Sequence, residues 1–391
     1  MKLSAPEDKL REWFVKRKDI IFLLILVVMS IYVRFKARDF ASGDYEITLL
    51  PWFQEIQEKG FSALKTQIGD YPIPYQVLVF LLSRIPGNPM YLYKITFFLS
   101  DVMQAIAGGA IVKRVTGKKS AMLFTVAVLL VLPEVVLNSS YWSQCDSIWS
   151  GFTLLAILFL MDRKYFVSFL FLGAAFSFKM QTVFIFPLFV MYYFKEGGFS
   201  LFSFLIVPLV FLLFCSPAFI AGRPITSLLS VYFMQVYEYH EMVISFPSFW
   251  ALTQLLDFKA YYRFGVMVTF AILGVFFYFI LHHRIDLKKP KTLLVLAAVS
   301  SWTCVLFLPS MHERYGYLSD ILLIALLIAD RDYLPFAIIP PAVSIISYGS
   351  YLTGGARNLV IMAGAHMIAY LGVIVIARMK YLRNPEDYVS H

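Results

Sequence analysis

The stretch Tyr75–Pro86, YQVLVFLLSRIP, decides how the rest of the chain is laid out. It is apolar but only about a dozen residues long, whereas a helix needs about 20 such residues to cross the hydrocarbon layer. If it crosses, the basic clusters KRVTGKK (113–119) and RIDLKKPK (284–291) fall outside. If it is re-entrant or lies at the interface, the strong basic clusters all fall on one face. These are the N-terminus, Lys113/Arg114/Lys118/Lys119, Arg163/Lys164, Lys195, Arg284/Lys288/Lys289/Lys291, Arg331 and Arg378/Lys380/Arg383. Short loops rich in Lys and Arg are retained in the cytoplasm, so the second arrangement is expected.

Working outward, the other apolar runs start near residues 20, 90, 120, 148, 165, 183, 199, 262, 292, 316, 333 and 358. They predict an all-α polytopic membrane protein of about twelve spans with both termini cytoplasmic. Pro133, Pro187, Pro208 and the Pro340–Pro341 pair fall inside runs, which a bundle tolerates by satisfying the freed carbonyls. Composition agrees. The 391 residues are 60% hydrophobic and 15% charged, against about 25% charged for a soluble domain. That excludes a water-soluble enzyme or a disordered chain. The net charge of +9 is no sign of nucleic acid, because it sits in short clusters between apolar runs. Residues 1–19 form a polar, amphipathic cytoplasmic N-terminus without a small-residue cleavage site after the run that follows, so no signal peptide is expected. Residues 381–391 are a cytoplasmic tail. Cys145, Cys215 and Cys304, odd in number and far apart, predict free, packed thiols.

Four polar features collect on the external face: the loop 36–74, the motif YWSQCDS (141–147), the loop 219–261 and MHERYGY (311–317). Ionisable residues held at membrane level are expensive and mark function by default. In the first loop, Ser42-Gly43-Asp44 precedes a helix from Pro51 that sets Phe53, Ile56, Gly60, Phe61 and Leu64 on one face. That pattern suits a helix lying flat in the interface; a solvated turn or helix cap is the plain alternative for Asp44. Gln144 and Asp146 lie two apart between apolar helices, where an unpaired carboxylate is costly. Lys179 and Gln181 interrupt an apolar stretch at an external helix end, as phosphate contacts or as a snorkelling lysine. His312, Glu313, Arg314 and Tyr315 follow Pro309. Arg offers a planar fork of donors suited to phosphate, with a Glu313–Arg314 salt bridge as the competing reading. Asp101, Glu134 and Asp320 lie in helices, and no second acid follows Asp101 at one-turn spacing, which argues against a proton relay.

The order of these motifs carries a resemblance. An Asp in the first external loop, then Trp142-Ser143-Gln144-Cys145-Asp146, then Phe176-Ser177-Phe178-Lys179-Met180-Gln181, then Met311-His312-Glu313-Arg314-Tyr315 resembles the GT-C superfamily. More narrowly it resembles bacterial relatives of the second mannosyltransferase of GPI-anchor assembly. The resemblance runs from about Ser42 to Tyr317. Where this chain has Trp-Ser-Gln, those relatives usually have Trp-Gly-Gln, which leaves the backbone geometry there open.

The resemblance implies a GT-C-like bundle: a transmembrane module over 20–260 with external loops 36–74 and 219–261, and C-terminal helices over 261–380 carrying the HERY motif. It implies an inverting glycosyltransferase in the cell membrane, with its active site on the external face. A hexose, mannose or similar, would move from a polyprenyl-phosphate sugar to a lipid-linked or cell-envelope glycan. Asp44 matches the family's proposed catalytic base and Asp146 its second acidic motif. Lys179, His312 and Arg314 match places expected near the lipid phosphate, with Gln144, Gln181, Glu313 and Tyr315 beside them. With one Asp in YWSQCDS rather than a D-x-D pair, and protein cations for the phosphate, no essential metal or other cofactor is expected. A multispan flippase or transporter and an envelope polysaccharide polymerase are the rival functions; no internal repeat of the transporter kind is visible.

Overall fold

The computed structural model describes residues 5–232, 234, 239–253 and 255–381. Most of the expected tail 381–391, the first four residues and part of the loop 219–261 therefore lie outside the described residues. Among the described residues the chain is helical, with no strand.

In chain order the main helices are α1 (Ala5–Lys36), α2 (Leu50–Lys59), α3 (Ile73–Ser83), α4 (Pro89–Thr116), α5 (Lys119–Val131), α6 (Asp146–Met161) and α7 (Tyr165–Phe178). They continue as α8 (Phe186–Glu196), α9 (Ile206–Ile220), α10 (Phe258–His282), α11 (Pro290–Phe307), α12 (Tyr317–Ala329), α13 (Ile339–Thr353) and α14 (Leu359–Tyr381). Each of the expected apolar runs is helical. Six helical segments are long and apolar enough to cross a membrane: Pro89–Thr116, Leu201–Ile220, Phe258–His282, Pro290–Phe307, Arg331–Thr353 and Leu359–Tyr381. Lys119–Val131 with Pro133–Tyr141, bent by 46°, makes a seventh if the pair is one span. This is the build of a multi-pass membrane protein.

The prolines explain where the runs break. Pro187 and the Pro340–Pro341 pair stand in the first turns of α8 and α13, and Pro133 opens the short helix after the bend. A residue without an N–H costs nothing there, because the first helical N–H groups have no intrahelical partner.

The deciding stretch forms helix α3. Its 11 residues reach about 16 Å at 1.5 Å per residue, half of the roughly 30 Å hydrocarbon core. Pro72 and Pro74 set its start, and Tyr75, Val79 and Leu82 are buried with Phe53 and Ile56 of α2 and Tyr93 and Phe97 of α4. The same packing covers part of the apolar face expected after Pro51. The face carrying Phe53 and Ile56 lies against protein, α2 ends at Gly60 in the left-handed region (φ 62°), and Phe61 turns outward. Leu64 joins a different cluster, with Phe211 and Cys215 of α9.

At the centre, α4, α5 and α6 approach closely through small residues. A Cβ on Gly109 would come within 2.7 Å of Val126, and one on Gly151 within 2.6 Å of Met103; close helix contacts in membranes are built this way. All three cysteines are buried and free. The intramembrane Asp101 is matched by Arg34 of α1 at 2.6 Å and accepts from Ser139 at 2.6 Å, while Arg34 also donates to Ser30 and to the Leu130 carbonyl.

Removing one partner of a buried pair leaves an uncompensated charge worth about 3–5 kcal/mol. Arg34→Met should therefore destabilise the chain by about 3 kcal/mol in detergent melts, and Asp101→Leu added to it should recover most of the loss. Equal destabilisation of the single and double variants would show that the pair does not clasp α1 to α4.

Candidate functional site

Asp44, Gln144, Asp146, Lys179 and Arg314 meet at one end of the bundle in one hydrogen-bonded network, and Gln181, His312 and Tyr315 line a cavity beside it. The first loop leaves α1, and the Ser42 hydroxyl donates to the Trp142 carbonyl at 2.8 Å and accepts from the Tyr45 N–H at 3.2 Å. That fastens the following Asp44 against the YWSQCDS segment. Asp44 Oδ2 accepts from Trp142 Nε1 at 2.8 Å and Gln144 Nε2 at 2.9 Å, and Oδ1 accepts from the Tyr351 hydroxyl at 2.5 Å. Tyr351, near the end of α13, also stacks on Trp142 with centroids 4.2 Å apart.

Gln144 is the hinge of the network. Its Oε1 accepts from Arg314 at 2.6 Å and from the Tyr71 hydroxyl at 3.0 Å. One amide thus links Asp44 to Arg314, so residues before α3 and residues after α11 share one face.

Asp146, the first residue of α6, is fully buried. Its Oδ1 accepts from the Lys179 ammonium and from Trp149 Nε1 at 3.1 Å; its Oδ2 accepts from Asn138 at 2.8 Å and lies 3.5 Å from Arg314. A buried carboxylate requires such partners, and four segments supply them. Lys179 is delivered by a break: α7 ends at Phe178, and Lys179 is extended (φ −157°) before a 3-10 turn begins. Arg314 sits on a 3-10 turn after α11, its guanidinium 5.0 Å from the Trp142 ring centre.

Beside this network lies a polar cavity of about 60 Å³, lined by Asp70, Tyr71, Lys179, Gln181, His312 and Arg314 among others. Gln181 is buried and its Oε1 has no partner. Burial, reinforced by Arg314 and Lys179, pushes His312 down to about 4, so the imidazole is neutral near pH 7. Burial raises the carboxyls of Asp70 and Glu313 above their usual range. Tyr315 stands against His312, with ring centres 5.3 Å apart.

Three placements differ from the sequence reading. Asp44, Gln144 and Asp146 are not among the residues that line the cavity. Glu313 does not pair with Arg314; it accepts from Ser245, with His312 Nδ1 at 3.9 Å. Lys179 and Arg314 already hold Asp146, so a phosphate at the cavity would share cations rather than find them free. Sequence reasoning missed Asp70, Tyr71, Asn138, Trp149 and Tyr351. An acid beside an aromatic in the first loop was a usable signal for Asp70-Tyr71; Tyr351 is one of several hydroxyl-bearing residues of α13, and nothing marked it among them.

The Trp-Ser-Gln departure has a backbone meaning. Ser143 lies at φ 61°, the left-handed region that glycine occupies without strain, and its buried hydroxyl has no hydrogen-bond partner among the described residues. No protein-family model matches the chain, and comparison with curated proteins finds no match either.

Ser143→Gly relieves about 1–2 kcal/mol of left-handed strain against about 0.5–1 kcal/mol of added chain entropy, and removes an unsatisfied hydroxyl. Its melting temperature in detergent should rise; a lower one would show that the hydroxyl is bonded. For His312 the depressed folded pKa means the unfolded chain takes up the proton first. Stability contributed by the neutral ring is complete above about 6.5 and is lost as pH falls towards 4. His312→Gln should flatten the pH dependence of unfolding between those values, and an unchanged slope would assign that dependence to another group.

Proposed function

We propose that this chain is an integral-membrane inverting glycosyltransferase. It takes a hexose from a polyprenyl-phosphate sugar and delivers it to a lipid-linked or envelope glycan at the external face of a twelve-span bundle with cytoplasmic termini. One observation carries the reading. Asp44, Gln144, Asp146, Lys179 and Arg314, drawn from four distant segments, form a single hydrogen-bonded network beside a polar cavity at one end of an apolar bundle. A transporter site is expected instead near mid-membrane, between broken helices.

The chemistry is one in-line displacement at the anomeric carbon. The acceptor oxygen–carbon bond forms, the carbon–oxygen bond to phosphate breaks, and the acceptor proton passes to Asp44. A carboxylate offers about four lone-pair sites. Two on Oδ2 are filled by Trp142 and Gln144, and Tyr351 takes one on Oδ1, which leaves the second Oδ1 position for the incoming hydroxyl. Trp142, Gln144 and Tyr351 also fix the carboxylate's direction, which is what general-base catalysis demands.

The leaving phosphate gains charge as the bond breaks. Lys179 and Arg314 face the cavity and supply donors for that charge, more effectively where water is excluded. Asp146 acts in this scheme as a positioning residue. It is saturated by its donors and orients both cations instead of touching substrate. His312, neutral, and Gln181 add hydrogen-bonding groups at the same wall.

The test uses vesicles containing the full chain and polyprenyl-phosphate mannose. Asp44→Asn should lower transfer by about 10²–10⁴-fold, the usual worth of a base in reach, while binding of the donor survives. Arg314→Ala should weaken donor binding and turnover together. Full turnover in Asp44→Asn would remove Asp44 as the base, and transfer absent from the unaltered protein with every polyprenyl-phosphate hexose would remove the donor class.

A further inference from the structure

The opposite end of the molecule carries a second cavity with a different chemistry. It measures about 400 Å³ and lies between α10, α11 and α14, within the roughly 300–1,000 Å³ of small-molecule sites. Its walls are apolar: Phe276 and Phe279 of α10, Val295 and Val299 of α11, and Ile374 of α14. Polar atoms enter only near the ends of these helices, from Thr292, Tyr381 and Arg378. The lining residues belong to the first two-thirds of α11, whereas the Asp44–Arg314 network follows its far end at Phe307, so the two sites are separate.

Its walls are unequal. Of the most apolar stretch of α11, 83% is buried, against 22% for α10. The cavity therefore lies between a central helix and a peripheral one, beside the lipid that surrounds α10. A single apolar chain entering from the bilayer would fill it without uncovering any polar group.

The charges at this end point to what such a chain would carry. Asp330 is held by Lys291 at 2.6 Å and by Lys380, and Asp332 by Lys380 at 2.6 Å. Glu196 is held by Lys288 at 2.9 Å, and Lys195 donates to the His283 carbonyl at 2.7 Å. Asp286 accepts the backbone N–H of Lys288. Among the described residues the acids named here are thus committed. Among the described residues Arg378, at the cavity's mouth, has no hydrogen bond or ion pair, and neither does the side chain of Arg284, next to the lining residue Ile285. An apolar slot ending in an unpaired guanidinium fits an amphiphile with one apolar chain to insert and one anionic diester to pair. Basic recesses between membrane helices select anionic lipids on this principle, and Arg binds phosphate through its planar fork.

We propose that the cavity between α10, α11 and α14 is a binding site for an anionic glycerophospholipid of the surrounding bilayer, one acyl chain lying along Val295 and Val299 and the phosphate resting on Arg378. The occupant comes from the membrane rather than from the sugar-transfer reaction, and the site stands whether or not that reaction is the chain's function.

The test is native mass spectrometry and thermal melting of the full chain in detergent, titrated with dioleoyl-phosphatidylglycerol or dioleoyl-phosphatidylcholine. The unaltered protein should bind the anionic lipid at about tenfold lower concentration than the zwitterionic one and melt several degrees higher with it. Arg378→Ala should erase that preference, whereas Arg331→Ala, which removes a cation of the same end that does not line the cavity, should keep it. Val299→Trp, which fills the slot, should abolish retention of either lipid; if it does not fold, Arg378→Ala and Arg331→Ala decide the matter. Equal binding of the two lipids by the unaltered protein, or an undiminished preference in Arg378→Ala, overturns the proposal. The latter result would mean that selectivity comes from general surface charge.

Discussion

A carboxylate shut away from water must be surrounded by donors, and Asp146 is such a carboxylate. Lys179, Arg314, Asn138 and Trp149 meet that demand, and each comes from a different local structure. Lys179 needs the break between α7 and the turn that follows. Arg314 needs the turn after α11, and Asn138 needs the bent segment behind Pro133. These three irregular pieces meet at this one carboxylate in an otherwise helical bundle. Gln144 and Asp44 then follow as an outer layer, because Arg314, once anchored, offers a donor to Gln144 Oε1.

Irregular backbone at the site is therefore a consequence of charge. Ser143 in the left-handed region and Lys179 in an extended one occur where side chains must be aimed across helix ends. Local strain of this kind persists only when the surroundings over-determine it. Here the over-determination is visible in Trp142, whose carbonyl, indole N–H and ring are engaged by Ser42, Asp44 and Tyr351, with Arg314 near its face.

Much of this was readable in advance, for identifiable reasons. Apolar runs bounded by charge gave the helices, since the bilayer imposes a length and a composition on them. The motif residues were legible because polar side chains between apolar helices have few inexpensive explanations. The short length of Tyr75–Pro86 is in keeping with the meeting of Asp44 and Arg314 through Gln144. What stayed hidden were partners in space. Arg34 looked like a basic flank of the first anchor and Asp101 like a stray acid, and only the α1–α4 contact makes them a pair. The amphipathic pattern of α2 was legible, but the pattern does not say whether lipid or protein covers the apolar face. Asn138 and Tyr351 lie outside the motifs, and their contacts to Asp146 and Asp44 join positions that sequence order does not relate.

Tyr351 donates to Asp44 across 307 positions of the chain. During synthesis, the loop bearing Asp44 leaves the ribosome long before α13 exists, so the carboxylate waits with its Oδ1 partner missing. The full constellation closes only when one of the last helices has been inserted. A nascent or C-terminally shortened chain of this protein thus has every motif in place and an Asp44 carboxylate still without its Tyr351 partner.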